Sequence, residues 1–283
     1  MPIELRNASY TYDLHIKKIA ALGDVSLTIN DGEFVGVMGH TGCGKSTLIQ
    51  LMSGLLAPSN GSVILDGEDI NAKHYDRRTL RKKVGIVFQY PEYQLFETTV
   101  EKDVAFGLKH SGMTAAEIES HVKDALELME SSFDDIRHKS PLALSGGEKR
   151  RAAIAGVLAT RPKFLIFDEP VAGLDPKKRE SFLRTVTRLN EAGTAIIMVS
   201  HNADALAETA GRIIVLNEGS MISDGSVKRI FTEVTQNKIE VSTPLTIARM
   251  LSQRGVNIPA DTVTYDELLS AVTSHLRGDG GAT

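Results

Sequence analysis

The sequence predicts an α/β fold with a mainly parallel sheet. Short apolar runs alternate with helical patterns along most of the chain, which is typical of parallel strands joined by helices. The runs at 164–167 and 195–199 are apolar at every position, as central strands covered on both faces would be. A glycine-rich loop follows the run at 34–38 and precedes a helical pattern, and a phosphate-binding loop requires that order.

The predicted strands share apolar β-forming residues, and the predicted helices share apolar residues spaced three or four positions apart. In chain order we predict strands at 24–29, 34–38, 62–65, 84–88, 164–168, 194–199 and 212–216 and helices at 45–56, 100–109, 115–130, 146–159 and 177–190.

These elements divide into a sheet domain, an insertion and an extension. Residues 92–160 show helical periodicity and no convincing strand, so we predict a helical subdomain inserted into a sheet domain at 1–225. Isolated amphipathic segments after Gly225 predict a small helical extension at 226–283.

Local signals mark the helices of the extension. Thr243 and Pro244 read as an N-cap and first-turn pair, and Thr264 with Glu267 as a capping box. The glycine-rich end at 278–283 is expected to be disordered.

Composition and charge limit the kinds of partner and of covalent link that we expect for the chain. The formal net charge of −4 gives no overall basic field, so nucleic acid is not favoured. The single cysteine, Cys43, excludes an internal disulfide. The N-terminus lacks the order of a signal peptide, and no apolar run approaches the roughly 18 residues that cross a bilayer. We therefore expect any membrane association to depend on a partner.

A phosphate-binding loop is predicted between the strand at 34–38 and the helix at 45–56. The residues that fit G-x-x-x-x-G-K-[ST] are Gly39, His40, Thr41, Gly42, Cys43, Gly44, Lys45 and Ser46, and Thr47 extends the set. Glycine lets main-chain N–H groups approach a triphosphate closely. Lys45 would reach the β- and γ-phosphates, Ser46 would bind Mg²⁺, and the helix would add its positive dipole end. The loop predicts ATP and Mg²⁺ as cofactors.

Two carboxylates end the strand at 164–168. Asp168 and Glu169 would emerge at the carboxyl edge of the sheet, where open α/β folds bind ligands. Asp168 would hold Mg²⁺, and Glu169 would accept a proton from, or orient, the water that attacks the γ-phosphate. Such a pair can also be a solvated turn, but the phosphate loop upstream favours the catalytic interpretation.

A third motif, Ser145-Gly146-Gly147-Glu148, lies between the loop and the carboxylates. A Ser-Gly-Gly turn that leads into a helix offers a hydroxyl, exposed N–H groups and a dipole to an anion. Ordinary N-capping by Ser145 with Glu148 is the alternative, and both roles can hold together.

With these motifs in order, residues 1–225 resemble an ATP-binding cassette (ABC) ATPase. That resemblance implies a P-loop NTPase of RecA-like fold with an inserted helical signature subdomain.

The resemblance implies further roles. Gln89 resembles the glutamine that senses Mg²⁺ and the attacking water, and His201 resembles the switch histidine that contacts the γ-phosphate. Tyr12 resembles the aromatic residue that stacks on adenine, with Tyr10 as the competing candidate. Asp175 would help to communicate across a dimer interface.

The family also implies a head-to-tail dimer in which Ser145, Gly146 and Gly147 complete the ATP site of the opposite subunit. Two ATP molecules would close that dimer, and hydrolysis with product release would open it.

The stretch at 88–100 resembles the Q-loop and short helix of energy-coupling factor (ECF) importer ATPases, which serve cobalt, nickel and vitamin uptake. In that family two ATPases, often nonidentical, bind a transmembrane coupling protein and an exchangeable substrate-binding membrane protein at the cytoplasmic face of the cell membrane. The stretch most resembles the second ATPase of vitamin importers, which favours a heterodimer with a paralogue. A homodimer remains open. Glu92 and Glu97 would pair with arginines of the coupling protein, or form a solvated acidic loop.

Two other classes of function make different demands. A soluble ABC ATPase of translation or DNA repair would carry two fused cassettes or a long coiled-coil insertion, and 283 residues accommodate neither. A module that binds ATP without hydrolysing it would lack Glu169 or His201. Exporter cassettes are usually fused to membrane helices. The sequence therefore favours an import motor for a vitamin or transition metal.

Overall fold

A computed structural model describes residues 2–13, 17–233 and 239–277. Its strands are β1 (Ile3–Asp13), β2 (Lys18–Ile29), β3 (Phe34–Met38), β4 (Asn60–Leu65), β5 (Glu68–Asp69), β6 (Val84–Val87), β7 (Phe164–Asp168), β8 (Ala195–Val199), β9 (Arg212–Asn217) and β10 (Ser220–Ser226). Its helices are α1 (Lys45–Met52), α2 (Arg77–Lys83), α3 (Val100–Val104), α4 (Ala115–Leu128), α5 (Phe133–Ile136), α6 (Gly146–Leu158), α7 (Pro176–Glu191), α8 (Ala203–Thr209), α9 (Val227–Glu233), α10 (Thr243–Ser252) and α11 (Tyr265–Leu276). Short 3-10 turns occupy Pro91–Gln94, Phe106–Leu108 and Pro141–Ala143.

The main sheet has six strands in the order β10-β9-β3-β8-β7-β6. Its inner strands pair in parallel, and β10 pairs antiparallel with β9. Strands β3 and β8 are buried along their whole length, as their unbroken apolar sequences predict. The carboxyl ends of β3, β7 and β8 therefore meet at one edge of the sheet.

A second sheet, antiparallel and ordered β2-β1-β4-β5, was not predicted. The strands predicted at 24–29 and 62–65 belong to it rather than to the parallel sheet, and β1 was missed altogether. Its pairing register shifts between Leu5 and Ala8 and again before Tyr10 and Thr11. These irregularities break the two-residue alternation on which strand prediction depends.

Two apolar layers cover the two faces of the main sheet. Along β3, Val35 and Val37 pack towards α1 and the antiparallel sheet, whereas Phe34 and Met38 pack towards the helical side. Alternation of side chains along a strand produces this division. The strand that leads into the phosphate loop is thus held between two packed layers.

The stretch 91–158 is fully described and contains helices and 3-10 turns but no strand. Helix α4 begins at a capping box in which Thr114 and Glu117 bond each other's main chain, and it packs on α6 through Val122 and Leu126. Two predicted helices are shorter than expected. α1 ends at Met52 because Gly54 turns with φ of 68°, and the helix predicted at 100–109 tightens into a 3-10 turn after Val104.

The extension packs against α8. Tyr265 donates its N–H to Glu208 and its hydroxyl to Asp204, and Asp204 also accepts the Thr243 N–H. The capping box of Thr264 and Glu267 is confirmed. The N-cap prediction at Thr243 was wrong by one position, because α10 starts at Thr243 itself with the preceding serine in the cap position.

The domain limits at 1–225 and 226–283 stay predictions, and the predicted disorder at 278–283 lies outside the described residues. No helix in the described part of the chain is long and apolar enough to cross a membrane.

Candidate nucleotide site

An open cleft of about 980 Å³ lies at the carboxyl edge of the main sheet. It gathers residues predicted from motifs that are far apart in sequence. Those that line it are Tyr12, Thr41, Gly42, Gly44, Lys45, Ser46, Thr47, Gln89, Asp168, Glu169 and His201.

The glycines of the loop are required by its packing as well as by any ligand. A Cβ at Gly39 would lie 2.3 Å from the Leu216 carbonyl oxygen, and one at Gly44 would lie 2.6 Å from the Ala21 carbonyl oxygen. Gly42 has open space around it but a φ of 82°, a conformation that side chains with a Cβ rarely adopt. The loop is therefore shaped before any ligand binds.

The remaining loop residues differ in exposure. Cys43 is fully buried beneath the loop, whereas His40 is exposed and its Nδ1 lies 2.8 Å from the Thr41 carbonyl oxygen. Lys45 is buried, and its Nζ donates to the carbonyls of Gly39 at 2.7 Å and His40 at 3.0 Å. These bonds hold the ammonium at the mouth of the loop.

Asp168, Glu169 and His201 form one charged cluster with this lysine. His201 Nε2 lies 3.4 Å from Lys45 Nζ and 3.5 Å from Glu169 Oε1. Glu169 Oε2 accepts the His201 N–H at 3.3 Å. Oε1 is buried without a hydrogen-bond partner among the described residues, because the 3.5 Å approach of the ring lacks hydrogen-bond geometry. That oxygen is free to accept a further proton donor.

Burial shapes the acidity of both carboxyls. It raises the pKa of Asp168, against which Lys45 and a hydrogen bond with Ser46 act. Burial also raises the pKa of Glu169, opposed by the His201 N–H and by the charges of His201 and Lys45. A carboxylate with a raised pKa is a better proton acceptor.

The backbone at Glu169 is unusual. Its φ of 50° lies in the left-handed region, which a residue with a Cβ occupies only when its surroundings hold it there. The Glu169 N–H donates to the Val199 carbonyl at 2.9 Å. The turn is thereby anchored to the end of β8.

Tyr12 and Tyr10 occupy different places. Tyr12 lines the cleft, and its hydroxyl lies 3.2 Å from Thr47 Oγ1. Tyr10 packs edge to face on Tyr12 and against the apolar layer beneath the antiparallel sheet. The geometry therefore favours Tyr12 as the residue that meets a base.

The signature residues do not line the cleft. Ser145 caps α6, since its Oγ accepts the Glu148 N–H and its own N–H donates to Glu148 Oε2 at 2.8 Å. The capping alternative is thus confirmed. Ser145, Gly146 and Gly147 are exposed, and a Cβ at Gly146 would meet no atom within 4 Å. None of the three lines the cleft at the chain's own phosphate loop.

Asp175 also lies outside the cleft. It caps α7 by accepting the Lys178 N–H at 2.9 Å and pairs with the Lys178 ammonium at 2.8 Å. Hydrogen bonding from Lys178 lowers the pKa of Asp175.

Some residues near the cleft were missed. Arg179 of α7 and Glu240 of the extension border it, but neither belongs to a motif or follows a strand, so only the tertiary structure reveals them. The two acidic residues of the stretch at 88–100 differ in surroundings. Glu97 pairs with Lys109 at 2.6 Å within the chain, and Glu92 has a buried Oε2. Their pairing with arginines of a coupling protein stays a prediction.

The chain is similar in sequence to a described protein family and to individual transporter subunits. The family described as ABC transporter matches residues 22–172. The ATP-binding protein EcfA2 of the energy-coupling factor transporter from Caldanaerobacter subterraneus subsp. tengcongensis is 46% identical over 98% of this chain and 99% of its own. EcfA2 from Clostridium perfringens is 44% identical over 99% of this chain and 100% of its own.

Two solved structures have similar folds. CbiO1 from Clostridium perfringens, part of the ABC transporter complex CbiONQ, gives a TM-score of 0.73 at 32% identity, covering 89% of this chain and 94% of its own. The ATP-binding cassette MJ0796, in a dimeric post-hydrolysis state bound to ADP and Pi, gives 0.70 at 31%, covering 80% and 98%.

Proposed function

The chain belongs to the ABC transporter family and, within it, to the ATP-binding subunits of energy-coupling factor transporters, and from that premise we propose how its residues work. It is an ATPase subunit of an ECF importer, and a soluble ABC ATPase is not favoured. The observation that carries the mechanism is the meeting of Lys45, Asp168, Glu169 and His201 in one cleft.

Glu169 acts as the general base for the water that attacks the γ-phosphate. Its partner-free buried Oε1 and the raised pKa of its carboxyl support this role. His201 contacts the γ-phosphate, since its ring lies between Glu169 and Lys45. Gln89, at the rim of the same cleft, orients the water.

Nucleotide lies on the main-chain N–H groups of the loop at 39–47, with Lys45 on the β- and γ-phosphates and the base stacked on Tyr12. The Ser46 hydroxyl, Asp168 carboxylate and Gln89 amide supply the oxygen ligands that Mg²⁺ takes in proteins. When bound, Mg²⁺ would neutralise charge that develops on the phosphates.

The exposed turn at Ser145, Gly146 and Gly147 completes the ATP site of a partner ATPase in a head-to-tail dimer. Glu148 supports this role by fixing Ser145 through the capping box, and Asp175 helps to communicate between the two sites. We assign the partner to a paralogue, so each heterodimer has two composite sites.

A groove of about 510 Å³ between the sheet domain and the helical region receives a transmembrane coupling protein. Phe96 and Phe106 line it and pack edge to face, and Tyr93 nearby is 85% exposed. Such an aromatic surface fits an apolar helix. Asp103 orders the rim by accepting the N–H groups of Phe96 and Glu97.

The coupling protein in turn joins an exchangeable substrate-binding membrane protein for a vitamin or transition metal. The chain itself would lie at the cytoplasmic face of the cell membrane, held there by its partner.

Affinity purification of the tagged chain from its native membranes in mild detergent tests this assembly. We expect a coupling protein, a second cassette ATPase and small substrate-binding membrane proteins to co-purify. Phe96→Asp should lose the membrane proteins and keep the second ATPase. Leu269→Asp on α11 is the matched control, because Leu269 is 66% exposed and Phe96 65%. Recovery of the wild-type chain without any membrane protein would contradict the proposal.

A further inference from the structure

Arg150, in α6, holds the turn that follows Glu169. Its Nη1 donates to the Ala172 carbonyl at 3.1 Å, and its Nη2 donates to the Pro170 carbonyl. The Ala172 N–H donates back to the Glu169 carbonyl at 3.2 Å and closes the turn. A planar guanidinium fixes two acceptors in one geometry, which a lysine ammonium does not do.

The charge of Glu92 acts on the same guanidinium, with no ion pair between the two side chains. The Arg150 Nε and Glu92 Oε2 are both buried and have no hydrogen-bond partner among the described residues. Burial lowers the pKa of Arg150, and the charge of Glu92 acts in the opposite direction. Glu92 thus supplies a compensating charge for the buried guanidinium, and an uncompensated buried charge is strongly unfavourable.

Glu92 belongs to Pro91–Gln94, the short turn that also carries the exposed Tyr93. This turn packs on α6. The turn thus adjoins the docking groove through Gln94, which lines it, and packs on the helix that carries Arg150. Displacement of this turn by a docked helix would change the electrostatic contact with Arg150.

We propose that Arg150 is a positioning residue that links docking at Pro91–Gln94 to the placement of Glu169. The inference rests on the proposed function. Arg150 fixes residues 170–172, and this turn keeps Glu169 in its left-handed conformation, with φ of 50°. Because α6 begins at the signature turn, the same helix also carries the residues that face the partner ATPase.

Arg150→Met, tested in the complex purified with its membrane proteins, should lower kcat for ATP hydrolysis by about tenfold or more, since small displacements of a catalytic group have large effects on rate. The Kd for a fluorescent ATP analogue should change by less than about twofold, because Arg150 lies outside the cleft. Hydrogen exchange should become faster in peptides that cover 168–176.

Arg151→Met is the matched control. Arg151 follows directly on the same helix, but its Nε donates to Ser131 Oγ at 3.0 Å. This variant should keep kcat and the exchange rate of 168–176 close to wild type. Arg150→Lys keeps the positive charge but loses the planar guanidinium that donates to two carbonyls. It should fold like wild type and still show a reduced kcat.

Glu92→Gln completes the test as a double-mutant cycle. It should lower kcat in the wild-type background and have no further effect in the Arg150→Met background. Additive effects, or equal kcat values in Arg150→Met and Arg151→Met, would overturn the link. A loss of kcat in Arg150→Lys that merely follows a lower Tm would overturn it too. If the wild-type complex itself fails to hydrolyse ATP, the proposed function fails instead.

Discussion

Two glycine-rich helix N-termini in the described part of the chain, at α1 and at α6, differ in what surrounds them. At α1 the loop lies close to the main chain of Leu216 and Ala21, and Lys45 is only 7% exposed. At α6 the turn of Ser145, Gly146 and Gly147 is exposed and touches little of its own chain. The phosphate loop of the first site is held by residues of its own subunit. At the second site, the capping box fixes the turn and the turn itself is exposed. It is therefore suited to a phosphate held by another chain.

The largest expected effect is at the first site. Glu169→Gln keeps the shape of the side chain but removes its basicity, so kcat for ATP hydrolysis should fall by about a hundredfold or more while ATP still binds. Steady-state phosphate release measures the rate, and gel filtration with ATP should show a trapped closed dimer. Wild-type turnover in this variant would remove Glu169 from the base role.

Gly39→Ala tests the difference between the two helix N-termini by its effect on the stability of the fold. The new methyl group would lie 2.3 Å from the Leu216 carbonyl oxygen at a φ of 146°, so we expect a loss of about 3 kcal/mol in the free energy of unfolding. Urea denaturation measures it. Gly146→Ala is the matched change at the second site and should leave the unfolding free energy almost unchanged, yet lower the ATPase rate of the dimer. If Gly39→Ala and Gly146→Ala destabilised the fold equally, the two helix N-termini would not differ in how tightly they are packed.

Lys45→Ala tests the part that the lysine ammonium plays in ATP binding. Loss of the ammonium should weaken ATP binding by about tenfold or more, because the triphosphate loses a close positive charge. Titration with a fluorescent ATP analogue gives the Kd. An unchanged affinity would count against the phosphate-loop assignment.

Ser145→Ala should have the smallest effect on the isolated chain. Removal of the cap should cost about 1 kcal/mol of stability, with ATP affinity of the subunit unchanged because Ser145 lies outside its own cleft. The ATPase rate of the assembled dimer should fall. If the isolated chain loses ATP affinity, the turn does not serve the opposite site.

The sequence predicted what depends on local patterns. The phosphate loop, the carboxylates at the end of β7 and the histidine after β8 could be found because parallel strands bring their carboxyl ends to one edge. β1 could not, since its bulges break the alternation of buried residues. Pairings between distant residues were also beyond reach. Nothing local indicates that Glu97 would pair with Lys109, or that the turn Pro91–Gln94 would pack on α6.

The bonds between the extension and α8 bear on how far the chain can be shortened. Asp204 lies three positions after His201 and accepts the N–H and hydroxyl of Thr243 and the hydroxyl of Tyr265. Leu245 and Phe231 are fully buried in the apolar layer on the helical side of the sheet. A chain cut at residue 225 would leave Asp204 without these donors and would expose the apolar residues that Leu245 and Phe231 cover. A cassette shortened in this way would tend to aggregate. Any hybrid protein that uses this ATPase domain should therefore include the extension.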